Sequence, residues 1–188
     1  MAANMKAVKL RMKSIQSTMQ ITKAMELVAS SKLRKAKERA DASRPYFHTL
    51  ENTLEQIAAG NTDLSSVYTK KSKNEKWCYV VIAGDRGLAG GYNSNLFKEM
   101  ESQTAGKDYC VLPIGKKAVE YYKRRGIELV TEEFAEAGDI SVSDCFEIAA
   151  LLCRAFKAGE FGHAALGYTN FVSMLSQKPD VSSMLPLE

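Results

Sequence analysis

Residues 5–58 read MKAVKLRMKSIQSTMQITKAMELVASSKLRKAKERADASRPYFHTLENTLEQIA, and this stretch decides the architecture because almost nothing in it opposes a helix. The first glycine of the chain is Gly60, the first proline is Pro45, and no aromatic residue precedes Tyr46. At 1.5 Å per residue such a helix is about 80 Å long, far beyond the mean of about three turns. No compact domain of this chain's size has a core of that length. The sequence therefore predicts a long N-terminal helix, residues 1–58, that protrudes from its domain.

Apolar residues recur along this helix mostly at steps of three and four, which is the spacing of one helix face. The stripe shifts sideways near Thr22, as a seam that winds around the axis would. Five of the eight methionines lie in the first 25 residues, and methionine packs adaptably against a variable partner. The members of the stripe are Met5, Val8, Met12, Ile15, Met19, Ile21, Met25, Val28, Leu33 and Ala36.

The helix also concentrates positive charge. Residues 1–44 carry 11 basic and three acidic side chains, a net charge of +8, whereas the whole chain carries +4. We expect a basic surface opposite the apolar stripe. Its members include Lys6, Lys9, Arg11, Lys13, Lys23, Lys32, Arg34, Lys35, Lys37 and Arg39.

Four interpretations of this segment remain open from the residues alone. The stripe could be buried on the chain's own domain, although the length of the helix opposes this. A helix lying on a membrane favours Trp, Phe or Leu on its apolar face, and here Met, Ala and Thr predominate. A nucleic-acid arm fits the charge but lacks stacking aromatic residues. A coiled-coil-like shaft inserted into a protein partner agrees best with the length and the stripe.

Residues 59–76 are polar and predict a linker, and residues 77–188 alternate strands with helices. We expect strands at 77–83, 109–114, 128–131, 163–169 and 172–176. We expect helices at 93–103, at 116–125, and from a cap at Ser141 or Ser143 to Gly159. Such alternation is typical of a doubly wound sheet. The predicted fold class is α/β, a long protruding helix followed by a Rossmann-like domain with a mostly parallel sheet.

The loop at residues 83–93 follows the first strand and opens a helix, where a doubly wound fold binds phosphate. Its glycines, at positions 84, 87, 90 and 91, match neither the dinucleotide fingerprint nor a Walker A loop. We interpret them as turn glycines and expect valine at Gly87 or Gly90 to destabilise the domain. A protein-docking loop is an alternative, and a nucleotide site is a weaker one.

No nucleophile–base pair or metal-ligand set stands out, so we predict no catalytic, cofactor-binding or metal-binding residues. The four cysteines form no Cys-x-x-Cys pair and are expected to be reduced and buried. Glu132, Glu133 and Glu136 are expected to form a solvated edge. No apolar run approaches a membrane span, and the N-terminus lacks the apolar region of a secretory signal.

Five motifs in order resemble the gamma subunit of the rotary proton-translocating ATP synthase. The resemblance covers essentially the whole chain, and the order of the motifs makes it specific. They are QITKAME at 20–26, ASSKLRK at 29–35, SRPY at 43–46, DRGLAGGYN at 85–93 and MLPL at 184–187.

The resemblance implies a non-catalytic central-stalk subunit that couples proton flow through the membrane rotor to ATP synthesis. Its implied partners are the alpha and beta subunits of the catalytic ring, the epsilon subunit and the membrane rotor ring, at the cytoplasmic face of the membrane. No nucleic acid is implied. The expected ring contacts are Lys9, Arg11, Lys13, Ile21, Lys23, Met25 and Val28. The expected foot contacts, to epsilon or the rotor ring, are Lys32, Arg34, Lys35, Asp85, Arg86 and Asn93.

Two departures from the family are visible. Relatives continue well beyond the position of Leu187 into a C-terminal helix that pairs with the first as an antiparallel coiled coil, so we expect this sequence to be a truncated form. Its helix should pair with the same helix of another copy, antiparallel or in a bundle, or else fray before about Ser30. Ala89 stands where many relatives have Cys, and the redox insertion of plastid relatives is missing, which favours a bacterial type. The competing function is a nucleotide-binding α/β enzyme domain with an oligomerising helix.

Overall fold

The computed structural model describes residues 2–60, 66–70 and 72–187. The chain divides into two units, Met1–Asp63 and Leu64–Glu188, and each is described by itself. The first unit is the helix α1, Ala2–Gly60, which confirms the prediction of one uninterrupted helix. It continues through Pro45 even though proline donates no backbone hydrogen bond. Near that position the hydroxyls of Ser43 and Thr49 donate to backbone carbonyls of the same helix, at 2.9 Å each.

The second unit is built on a sheet of four strands in the order β2-β1-β3-β4. Strands β1 (Trp77–Ile82), β2 (Tyr109–Ile114) and β3 (His163–Phe171) are parallel. Strand β4 (Gln177–Leu185) is an antiparallel edge strand. The prediction of an α/β fold with a mostly parallel sheet is therefore confirmed, because three of the four strands run in one direction.

Helices cover both faces of the sheet. They are α2 (Tyr92–Thr104), α3 (Lys116–Arg124) and α4 (Val142–Ala158), and a 3₁₀ turn spans Ala137–Asp139. Alternate residues of a strand point to opposite faces, so Cys78 and Val80 pack with α4 while Tyr79 and Val81 pack with α2 and α3. This three-layer arrangement is the doubly wound fold that the strand–helix alternation predicts.

The ends of α4 agree with the sequence. Ser141 is its N-cap, and a capping box links the Ser141 hydroxyl with the Asp144 backbone while the Asp144 carboxylate accepts from the Ser141 backbone. Gly159 ends the helix in the left-handed conformation, with φ of 76°. Of the two predicted caps, Ser141 is the correct one.

Two predicted strands are wrong. Residues 172–176 form the turn between β3 and β4, closed by backbone hydrogen bonds between Ser173 and Ser176. The strand lies further along, at Gln177–Leu185, because this polar segment pairs with β3 at the sheet edge. Residues 128–131 make a single bridge, Val111 with Leu129, rather than a strand.

The predicted linker, 59–76, lies partly outside the described residues, at 61–65 and 71. Its described second half is fastened to the α/β unit. The Tyr68 ring stacks on Phe156 at 6.2 Å, and the Asn74 amide donates to the Gly159 carbonyl at 2.8 Å. Lys76 forms a 2.7 Å ion pair with Glu128. This half is polar because it lies on the surface of the α/β unit, to which these contacts hold it.

The four cysteines are free, as predicted. Their burial differs from the expectation. Cys78 and Cys110 are buried in the sheet, but Cys145 is exposed and Cys153 is half-buried on α4. Both of the latter are helical residues with apolar neighbours in sequence, and only the orientation of the helix decides which of those residues face the core.

Candidate partner-binding surfaces

Helix α1 exposes large apolar side chains on two different sides. Met12 and Ile15 are 56% and 52% exposed, and they continue the stripe that starts at Met5. Ile21, Met25 and Val28 are exposed to a similar degree, at 58%, 54% and 58%. Because Ile21 lies two residues after Met19, it points about 200° away from it around the axis. The sequence suggests one stripe that shifts sideways. In the structure there are two stripes on different sides of α1, and they can contact two partners.

The basic side chains of α1 do not form one face. Arg11 and Lys13 are two residues apart, so they too point to nearly opposite sides. The prediction of a single basic surface is wrong, because the basic residues follow no helical period. Within the described residues, no carboxylate lies within ion-pair distance of Lys9, Arg11, Lys13 or Lys23.

Toward the middle of α1 the charges begin to pair. Arg34 lies 3.9 Å from Glu38, both largely exposed, and Arg44 lies 3.5 Å from Asp41. Such exposed pairs contribute about 0–1 kcal/mol each. Lys32 and Lys35 make no ion pair with any described residue. The N-terminal half of α1 therefore presents unpaired positive charge on all sides.

In the α/β unit, Asp85 organises the loop that follows β1. One carboxylate oxygen accepts from the backbone N–H of Ala137 at 2.8 Å and of Lys116 at 3.2 Å. The other accepts from the Gly138 N–H at 3.0 Å. Burial opposes ionisation of Asp85, but these backbone donors outweigh it and hold its pKa below the ordinary value. The carboxylate therefore ties its own loop to two other segments, the start of α3 and the 3₁₀ turn.

Asn93 fixes the other end of the same loop. Its side-chain oxygen accepts from the Gly84 backbone N–H at 2.9 Å. Arg86, in contrast, is exposed, and so is Leu88, at 96% and with a positive φ of 60°. Asp85 and Asn93 thus hold the loop from within, while Arg86 and Leu88 are the side chains that it offers to a partner.

We expect Asp85→Ala to lower the free energy of unfolding by about 2 kcal/mol at neutral pH. Each hydrogen bond to a charged group is worth about 1.5–3 kcal/mol, but Asp85 is only partly buried, so solvent screening reduces the sum of the three. Because the folded pKa is depressed, this stabilisation is full above the unfolded pKa of about 3.9 and is lost as the pH falls through the folded pKa. Urea titrations between neutral and acidic pH measure the difference. Asp85→Asn, which keeps one acceptor but cannot ionise, is the control. If the free energy of unfolding of Asp85→Ala stays below that of the parent by the same amount in acid, this role is contradicted.

The two glycines singled out from the sequence behave differently. Gly90 has a φ of +56°, so a side chain there is strained, as predicted. An added Cβ at Gly87 meets nothing within 4 Å, and its φ is ordinary. The geometry therefore gives no steric reason at the Cβ for Gly87→Val to destabilise the domain, and that expectation stays a prediction.

The geometry of the loop does not favour a nucleotide. The loop carries the carboxylate of Asp85, whose pKa is held below the ordinary value, and its negative charge would repel a phosphate bound there. Close by, a shallow cavity of about 300 Å³ is strongly acidic. The residues that line it are Glu133, Phe134, Ala135, Glu136, Asp139, Ile140, Asp144 and Glu147.

We therefore expect neither ATP nor NAD to raise the melting temperature of the chain. A ligand that binds the folded state stabilises it in proportion to the logarithm of its concentration. A thermal-shift titration with each nucleotide, with and without magnesium, measures this. A melting temperature that climbs steadily with ATP would revive the competing enzyme function.

Over the residues that the structure describes, no three His, Cys, Asp or Glu side chains are grouped so that they could hold a metal ion. None of the described helices is both long and apolar enough to cross a membrane. The expected solvated edge is present: Glu132 pairs with Lys123 at 2.7 Å and Glu136 with Lys116 at 2.5 Å.

Sequence reasoning missed several exposed apolar residues of the α/β unit. Phe146 and Val142 on α4 are 72% and 74% exposed, and Leu175, in the turn before β4, is fully exposed. Leu88 belongs to the same group. A helical projection of residues 142–158 could have placed Phe146 away from Ile148 and Leu152, whereas nothing in the local sequence marks Leu88 or Leu175.

The α/β unit has a strand-end loop that is held by its own carboxylate, and α1 exposes two apolar stripes. Such exposed apolar surfaces are typical of proteins that assemble with other proteins. A family model described as ATP synthase matches residues 4–188. The chain belongs to the ATP synthase gamma family.

Curated relatives carry the same identification. The chain is 44% identical over 191 residues to the ATP synthase gamma chain of Ruminococcus albus, covering 99% of this chain and 66% of the relative. It is 36% identical over 188 residues to the sodium ion specific ATP synthase gamma chain of Acetobacterium woodii, covering 100% of this chain and 62% of the relative. The chain thus spans somewhat less than two thirds of the length of these relatives.

A solved structure supports the fold. The central stalk and c-ring structure of the Tetrahymena thermophila mitochondrial ATP synthase contains a chain that is similar with a TM-score of 0.63 and 23% identity. The similarity covers 88% of this chain and 72% of that one. At this identity the comparison bears on the fold alone.

Proposed function

We propose that this chain is the non-catalytic central-stalk subunit of a bacterial ATP synthase, which couples ion flow through the membrane rotor to ATP synthesis in the ring of alpha and beta subunits. Family membership over residues 4–188 carries the proposal. The two exposed stripes of α1 support it, because a shaft needs one surface for a second helix and another for the surrounding ring.

The ring contacts that we propose are those expected from the sequence: Lys9, Arg11, Lys13, Ile21, Lys23, Met25 and Val28. The second stripe, Ile21 to Val28, gives apolar packing that can slide. The basic residues lack partners within the described chain and point in all directions, which suits a shaft that meets its neighbours at changing angles. Because exposed ion pairs are individually weak, none of them holds one rotational position.

For the foot of the stalk we propose contacts to the epsilon subunit and the membrane rotor ring through Lys32, Arg34, Lys35 and Arg86. Asp85 and Asn93 act there indirectly, by shaping the loop that carries Arg86 and Leu88. The subunit would then be peripheral, at the cytoplasmic face of the membrane.

A chimera tests the function. This chain replaces the aligned segment of the Ruminococcus albus gamma chain, and the product is assembled with the other subunits of that enzyme in vesicles. We expect ATP-driven ion uptake that collapses with an uncoupler. A chimera that joins the complex but supports no uptake, while the parent enzyme pumps, would contradict the proposal.

A further inference from the structure

The first stripe of α1 belongs to a heptad pattern that runs the whole length of the helix. Starting from Met5 and Val8, every seventh residue continues one of two rows, and α1 is unbroken over that distance. We call these rows the heptad seam, since such a repeat winds two helices around each other. The large apolar members are Met5, Val8, Met12, Ile15, Met19, Leu33, Phe47, Leu50, Leu54 and Ile57, and the small or polar ones are Thr22, Glu26, Ala29, Ala36, Ala40 and Ser43.

The two ends of the heptad seam are mirror images in spacing. Reading forward, Met5, Val8, Met12 and Ile15 are separated by three, four and three residues. Reading backward, Ile57, Leu54, Leu50 and Phe47 show the same intervals. All eight side chains are exposed, from 44% at Leu50 to 61% at Met5. A second α1 turned end for end therefore brings each apolar residue of one end against an apolar residue of the other.

Charge selects the same orientation. Five basic and no acidic residues precede Glu26, whereas Glu51 and Glu55 follow Pro45 without any Lys or Arg up to residue 60. An antiparallel pair brings these oppositely charged ends together and sets Lys9 near Glu51 of the second copy, both beside the seam. A parallel pair would instead align the basic ends with each other.

The middle of the seam is weak. Ala29, Ala36 and Thr22 bury little surface, and Glu26 occupies a core position. Lys32 lies beside the seam close to the two-fold axis, so it approaches its own symmetry mate. Apolar packing at the two ends must therefore hold the pair against repulsion at the centre.

We propose that α1 is an antiparallel self-association surface, and that its occupant is α1 of a second copy of this chain. In this register Met5 lies opposite Ile57, Met12 opposite Leu50 and Ile15 opposite Phe47. The inference concerns the free chain and does not rest on the proposed function. A copy paired in this way cannot offer the same seam to another helix, so the pair must separate before the chain enters any assembly that uses the seam.

Sedimentation of the free chain tests the surface. We expect a monomer–dimer equilibrium. Met12→Lys with Ile15→Lys should raise its dissociation constant about a hundredfold, because each lysine would have to be buried against an apolar partner. Ile21→Lys with Val28→Lys is the matched control, since it adds the same charge on the other side of α1 and should leave the dimer largely intact. The proposal would be overturned if the parent chain is a monomer with intact helix content. It would also be overturned if the two double variants raise the dissociation constant equally.

Cross-linking tests the register in a chain carrying Cys145→Ser and Cys153→Ser. Met12→Cys and Leu50→Cys variants, when mixed, should form a disulfide between copies under mild oxidation, and neither should do so alone. In the antiparallel register two copies of position 12 lie roughly 57 Å apart. Disulfides between two Met12→Cys copies would overturn the orientation. Glu26→Leu, which should lower the dissociation constant at least about tenfold by removing a charge from the seam, gives a test that no loss of folding can mimic.

Discussion

Gly115→Ala should lower the free energy of unfolding of the α/β unit by about 3 kcal/mol or more. Gly115 joins β2 to α3 with a φ of +95°, which side chains rarely adopt. An added Cβ would also fall on the carbonyl oxygen of Ala83, a backbone atom at the end of β1. The backbone cannot move away easily, because the Gly115 N–H donates to the Phe134 carbonyl at 3.0 Å.

Urea denaturation monitored by the fluorescence of Trp77 measures this effect. Gly126→Ala is the matched control: Gly126 also has a positive φ, +68°, but an added Cβ there meets nothing within 4 Å. Its cost is therefore the conformational strain alone, about 1 kcal/mol. Equal losses in the two variants would show that the approach of Gly115 to Ala83 contributes nothing.

Charge reversal on α1 should uncouple the proposed rotor. In the chimera described above, Arg11→Glu with Lys23→Glu should lower ATP-driven ion uptake about tenfold while the complex still assembles. Assembly depends mainly on the apolar stripes, whereas these two unpaired cations would face partners that change as the shaft turns. When both cations are replaced by glutamate, their attraction to acidic groups of the ring becomes repulsion over part of each rotation.

Two measurements separate the effects: subunit content after purification, and ion uptake per ATP hydrolysed. Lys98→Glu with Lys178→Glu makes the same change of charge on exposed lysines of the α/β unit and should leave coupling near the parental value. Unchanged uptake in the Arg11 and Lys23 variant would contradict the proposed ring contacts.

Local chemistry explains which elements could be predicted from the sequence. The extent of α1 follows from the lack of Gly before residue 60, and the strand at 109–114 from its unbroken apolar run. Ser141 and Gly159 mark the ends of α4 because capping depends on neighbours in sequence. In each case the residues that decide the structure lie within one turn or one strand.

The features that the sequence did not predict depend on contacts between residues that are distant in sequence. Residues 172–176 are largely apolar and resemble a buried strand, yet they form an exposed turn because β4 needs them to reverse onto β3. The role of Asp85 could not be predicted either, since its partner Ala137 is 52 residues away. Among the candidate contacts, Arg86 and Leu88 gain interest only once Asp85 and Asn93 are seen to be engaged within the loop.

Rotation observed directly is the sharpest test of the central claim. The exposed Cys145 allows a bead to be attached to the α/β unit of the chimera while the alpha and beta ring is fixed to a glass surface. We expect ATP to drive the bead in one direction through repeated full turns, and the same particles to stop when ATP is removed. A bead that stays fixed, or only fluctuates, on complexes that hydrolyse ATP at the parental rate would contradict it.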